Sequence, residues 1–237
     1  MFGGPLELEP NAAELALLLP WCLGGNATGT PAVNYALAET LQTRYVTIDR
    51  VSKVFTYAGC AINSARFSAM QGEPLKLSLD VVGQTETVAA AGSFPAVTES
   101  LATQPFILSD LVMTIGGTAV AMKKLDVTVN NHIDKNRFFN TNTLSGILAN
   151  DRETTFETEI PYDTAYTAIY GSGASGVAVV ATFTNGAVSM VMTMAAVSFP
   201  RRTPPVPNRA EIMLTIRGEA EMTSTTKELS IVLDSTP

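Results

Sequence analysis

The only histidine of the chain, His132, stands beside Asn130, Asn131 and Asp134. A metal site gathers three or four convergent ligands, and one imidazole with one carboxylate does not supply them. A single histidine without a Gly-x-Ser-x-Gly elbow also leaves no Ser–His–Asp arrangement to build. His132 therefore reads as a turn or strand-end residue. The run Gly171-Ser172-Gly173-Ala174-Ser175-Gly176 looks like a phosphate cradle, but it lacks the Lys-Ser/Thr ending of a P-loop and leads into a strand pattern instead of a helix. A helix stop followed by a turn accounts for it. Glu153, Glu157 and Glu159, with Asp151 and Asp163, bring carboxylates close together. General-acid chemistry needs one such group pushed into an apolar pocket, and nothing in the surrounding pattern builds one. Cys22 and Cys60 are too few for a disulfide framework and read as buried free thiols. The expectation is a protein with no catalytic residue, no metal and no cofactor.

The elements that hold these residues follow from periodicity. Residues 1–43 form a leader unlike the rest. Asn11 is a helix cap, with Glu14 and then Leu15, Leu17, Leu18 and Leu19 behind it, and Pro20 should end the helix. Residues 24–31, rich in glycine and threonine, read as a loop. The leader cannot bury its leucines alone, so it must pack on the main domain or on a neighbour. From Tyr45 onward the period is two. Alternation at 75–82, 125–130, 156–160, 177–183, 188–196, 212–216 and 229–233 argues half-buried antiparallel strands. Asn185-Gly186 between two of these runs predicts a type I′ hairpin. Met190, Met192 and Met194 share one face, as core or interface filling. Two interruptions stand out: residues 84–106, a long weakly periodic loop, and residues 162–174, where Asp163 could cap a short helix. Residues 200–207 read as an extended proline-rich connection.

Bulk properties narrow the function. The 237 residues are 46% hydrophobic and only 16% charged, and the net charge is −7. So few charges suit a surface partly hidden in an assembly, and the acidic balance argues against a protein held on nucleic acid by phosphate contacts. No apolar run is long enough to span a membrane, and the acidic N-terminus is not a secretory signal, so the Asn26-Ala27-Thr28 sequon carries no weight. A cytoplasmic site of synthesis fits these features. Arg201-Arg202 is a small basic spot suited to a surface or intersubunit ion pair.

The order of segments resembles a known family. Phe55-Thr56-Tyr57-Ala58-Gly59-Cys60-Ala61-Ile62-Asn63-Ser64, then Gly72-Glu73-Pro74 and a strand, is similar to a block of siphophage tail tube proteins. Pro105-Phe106, Met113-Thr114-Ile115-Gly116-Gly117, Arg152-Glu153-Thr154, Tyr162-Asp163 and the final run from Glu228 to Asp234 follow in the same order. The resemblance spans roughly 44–237. It implies an all-β domain, an antiparallel β-sandwich or partly rolled β-barrel with a short flanking helix, a long intersubunit loop and an N-terminal arm. It also implies a structural virion protein of the tail, in which hexameric rings stack into a hollow conduit for DNA. The partners implied are copies of the same chain together with tape measure, terminator and baseplate proteins, and DNA passes without specific binding. Other readings are a tail terminator, baseplate hub or secretion tube protein of similar architecture, or a β-sandwich binding module.

Within that frame the residues sort into two expected sets. Leu15, Leu18 and Trp21 of the leader, with Phe94, Val97, Leu101 and Phe106 of the 84–106 loop, are apolar groups without a periodic strand to bury them and are expected at subunit contacts. Asp126, Glu157 and Glu159 project from the polar faces of strands and are expected on a net negative channel wall.

Overall fold

The computed structural model describes residues 2–25, 27–97, 104–139, 144, 146–162, 176–200 and 213–235. The helix expected over 162–174 lies outside them apart from Tyr162, as do Leu101 and the glycine–serine run before Gly176. In chain order the elements are β1 (Phe2–Leu8), α1 (Ala12–Leu23), β2 (Val33–Ala36), β3 (Arg44–Asp49), β4 (Lys53–Met70), β5 (Lys76–Gly83), β6 (Thr85–Ala90), β7 (Leu111–Ile115), β8 (Thr118–Val120), β9 (Lys124–Asn130), β10 (Glu153–Pro161), β11 (Val177–Asn185), β12 (Val188–Ser198), β13 (Met213–Ala220) and β14 (Ser230–Asp234). The chain is all-β with a flanking helix, as its alternation requires.

The strands pair in the order β1-β5-β4-β9-β10-β13-β12-β11-β7-β8, with β14 on β12 and β2 on β14. β12 and β13 share only two paired positions, Val197 with Ala220 and Ser198 with Glu219. At this corner the sheet folds over on itself. The first layer runs from β1 to β13 and the second from β8 to β2, and the path ends at β1 and β8 without closing into a barrel. Phe67, Leu77, Leu79, Val127, Phe156 and Ile160 of the first layer share one buried cluster with Val179, Phe183, Met190, Met192, Met194 and Ile231 of the second. Phe106 is fully buried in it, its ring 5.7 Å from that of Phe183. Each such side chain contributes about 1.5–3 kcal/mol by leaving water.

The leader is part of this body. β1 pairs with β5 through Leu6–Leu79 and Leu8–Leu77, and β2 pairs with β14 through Tyr35–Ile231. Between them α1 packs against β2, β4, β12 and β14. Asn11 caps α1 as expected, in a reciprocal box: its side chain accepts from the Glu14 amide and its own amide donates to the Glu14 carboxylate, both at 2.9 Å. Pro20 does not end the helix, which continues to Leu23 and the Gly24 cap. Proline removes the amide that would bond the Ala16 carbonyl. The Tyr35 hydroxyl lies 3.5 Å from that carbonyl and supplies a long substitute donor.

The 84–106 segment also differs from expectation. Its first part is β6, which continues β5 across Gln84 and pairs with the start of β4 from Lys53–Ala90 to Ala58–Thr85. β3 pairs on the other side of the same stretch of β4. A three-stranded ribbon, β3-β4-β6, thus extends the first layer beyond its buried part. It departs at Gly59, whose φ of +64° only glycine adopts without strain and where a Cβ would run into the Gln84 side chain. The hairpin between β11 and β12 forms where the sequence places it, but one residue further on. Asn185 pairs with Val188, and Gly186 and Ala187 make the turn, with positive φ at Gly186 alone. That is the position where a type II′ turn puts its glycine.

Candidate functional site

Alternation along β4, β9, β10 and β13 points every second side chain away from the core, and the antiparallel register aligns these positions in rows. One row is ionic. Arg66 faces Asp126, with guanidinium–carboxylate contacts of 2.9 and 3.0 Å. Lys124 lies 2.5 Å from Asp126 and 2.9 Å from Glu157, and Arg217 lies 2.6 Å from Glu157. The result is a cation–anion alternation across four strands, Arg66–Asp126–Lys124–Glu157–Arg217. It floors a broad groove of about 950 Å³ whose other lining includes Thr128, Thr155 and Glu219.

The titration of these groups follows from the row. Burial pushes the Asp126 carboxyl up, but hydrogen bonds from Lys124, Ser68 and Arg66 outweigh it and hold the group below its ordinary range. For Glu157, burial acts upward in the same way and Lys124 and Arg217 bring it down. Lys124 is raised by its hydrogen bonds to Asp126 and Glu157. Asp126 and Glu157 thus lie in a row with Arg66, Lys124 and Arg217, and the row as a whole is not an acidic patch. Asp126 and Glu157, expected on an acidic wall, each sit between cations that the strand register delivers. Glu159 lies on the same outer face, opposite Lys124 and Thr215 in register, with no ion pair among the described residues.

The first layer is also open at both sides. β1 pairs only with β5, and β13 pairs with β12 only at Glu219 and Ala220, leaving its Met213–Gly218 stretch without a second neighbour among the described residues. Leu15, Trp21 and Phe106, expected at subunit contacts, lie inside the chain's own core instead. The Trp21 indole N–H donates to the Cys60 carbonyl at 2.8 Å. Leu18 is half-buried against the same core, Phe94 is half-buried, and Val97 is 68% exposed. Among the described residues of that set, Val97 is the most exposed. Sequence reasoning passed over the cations Arg66, Lys124 and Arg217. Their signal was there, since each occupies an outward position of an alternating strand.

His132 is a strand-end residue, as read. Its Nδ1 is 2.6 Å from the Asp151 carbonyl and its Nε2 is 3.0 Å from the Asn130 side chain, which ties down the β9–β10 connection. No cluster of three metal-ligating side chains occurs among the described residues. Cys22 and Cys60 are buried and unpaired, and burial pushes the Cys22 thiol up to about 12.

Among the described residues the protein is two-layered and all-β, with a patterned outer face and open strand edges at both ends of its first layer, features that suit association with further chains. A family model described as phage tail tube protein matches residues 1–220, so the match takes in the leader as well as the β-domain. The chain belongs to the phage tail tube protein family and is a structural component of a phage tail. Comparison with curated proteins returns no match.

Proposed function

We propose that copies of this chain close into hexameric rings that stack as a hollow conduit for DNA, with the outer face of the first layer turned toward the channel. The observation that carries this reading is the first layer itself, a sheet with a polar outer face bounded by β1 and by the Met213–Gly218 stretch of β13, edges without a further neighbour among the described residues. Joining β13 of one copy to β1 of the next continues the sheet around a ring, which removes the unpaired backbone groups that an open edge exposes. The ionic row then runs around the wall. A face that alternates in sign over a few ångströms presents little net field to a phosphate backbone beyond the screening length of about 8 Å at physiological salt. DNA would slide over such a face without a fixed register. Copies of the chain are the main partners, and tape measure, terminator and baseplate proteins meet the tube at its ends and interior.

Electron microscopy of the purified protein tests the reading. Hollow tubes or rings are expected, with β1 and β13 density continuous between neighbours. A protein that stays monomeric at high concentration in mass photometry and forms no polymer on grids would remove it.

A further inference from the structure

The ionic row of the outer face alternates in sign across four strands and then stops at an edge. Its last member, Arg217, is the only charged residue in the open Met213–Gly218 stretch of β13. Glu157 holds its Nε at 2.6 Å, yet the side chain is 62% exposed, and no second carboxylate pairs with it among the described residues.

The opposite edge of the same layer starts with the complementary charge. Glu7 is the only charged residue of β1. It is exposed and in register with Ser78 of β5, which is in register with Arg66 of β4, so Glu7 stands on the same outer face as the row. It makes no ion pair among the described residues. Lys76 lies close by on β5: its amine is raised first by a hydrogen bond to Glu73, and Glu9 and Glu7 add to the effect.

Strand sense selects the partner. Five antiparallel pairings, β1-β5, β5-β4, β4-β9, β9-β10 and β10-β13, join the six strands of the layer, so β1 and β13 run in opposite directions. Rotation about a ring axis leaves the sense of every strand unchanged. β13 of one copy therefore meets β1 of the next antiparallel, and the ladder takes the same form as inside the chain. A layer with an odd number of strands would meet its copy in parallel. Like edges offer no such match, because β1 brings only its glutamate and the open stretch of β13 only its arginine. The charges also have a task at this joint. Gly3, Gly4 and Pro5 precede Glu7, and a strand so poor in side chains specifies its register weakly. A cross-strand pair of opposite charge supplies the missing preference.

We propose that Arg217 of one copy pairs with Glu7 of the next and thereby sets the register of the β13–β1 joint. The inference rests on the ring reading and names the contact that selects its partner edge. The alternation then continues through the joint, from Glu157 and Arg217 to Glu7 and Lys76 of the neighbouring copy. Glu7→Lys leaves the Arg217–Glu157 contact untouched, so the isolated subunit should melt within about 2 °C of wild type. Two cations then face each other at the joint. The yield of sedimentable ring and tube at low salt should fall about fivefold or more, with partial recovery at high salt. A chain carrying both Glu7→Cys and Arg217→Cys should link to its neighbours under a short bismaleimide and give a ladder that ends at the ring size. Each single variant should give no linked species, since Cys22 and Cys60 are buried. If wild-type protein forms neither rings nor tubes, the ring reading fails and the joint with it. If wild-type rings form and the Glu7→Lys protein assembles equally well at low salt, or the double variant stays unlinked, the ring stands and the proposed pair is wrong. Dimers from either single variant would show like edges meeting, which also overturns the pair.

Discussion

Lys124→Met removes the one cation of the ionic row that touches both its carboxylates, buried Asp126 and half-buried Glu157. Asp126 keeps Arg66, and Glu157 keeps Arg217, but each loses its contact at 2.5 or 2.9 Å. Breaking a buried pair costs about 3–5 kcal/mol and an exposed one about 0–1. Lys124 has about a quarter of its side chain exposed, and the outer arginines remain, so the cost falls between, at about 2 kcal/mol near neutral pH. For a chain of this length that is a fall in melting temperature of about 4–8 °C. The pH dependence gives the sharper test. Asp126 and Glu157 have folded pKa values below their unfolded ones, so their contribution is present above about pH 4 and is lost as pH falls through the folded values. Lys124 has a raised folded pKa, so its contribution is present below about pH 10 and is lost as pH rises through the folded value. The stability gap between wild type and variant should thus form a plateau between about pH 5 and 10 and shrink as pH falls below about 4. Urea unfolding of dilute subunit across that range measures it. A gap of the same size at pH 2 and pH 7 would refute the electrostatic account and assign the loss to packing.

Trp21→Phe leaves the Cys60 carbonyl without its buried donor and leaves space beside α1, and should cost about 2–4 kcal/mol in chemical unfolding; a loss under about 0.5 would mean that water replaces the indole. Gly59→Ala meets both a positive φ and the Gln84 side chain, so it should destabilise by about 1–2 kcal/mol and re-aim the ribbon. Tubes with unchanged axial spacing in micrographs would show that the ribbon angle does not set the repeat.

The periodicity of the sequence was informative wherever one strand face met the core. It put Leu77 and Leu79, Val127, Phe156 and the methionine row inward, and it placed Asn11 at the start of α1 and a turn at Gly186. It could not say which strand lies beside which. The pairing of Glu157 with Arg217 depends on a register set between residues 60 positions apart, so the carboxylates were visible and their neutralising partners were not. Which surface the leader covers was not legible for a related reason. Its partner surface is made by β4 and β14, far away in sequence, and Pro20 hid the last turn of the helix because the compensating hydroxyl comes from Tyr35 on another strand. β6 was hidden by its composition. Thr85, Thr87 and Ala89 on a strand exposed on both faces leave no apolar alternation to read.

The pairing of β2 with β14 ties Val33 to Leu233 and Ala36 to Ser230. Contacts that distant in sequence form late, because the intervening loop entropy must be met first. During synthesis the first layer can pair as soon as β13 has emerged, whereas the cover over α1 waits for β14. A chain interrupted before Ser230 keeps Tyr35 and part of the leucine face of α1 in water, and so carries a mark that a finished subunit has hidden. The strand that completes the core is thus the last strand among the described residues to leave the ribosome.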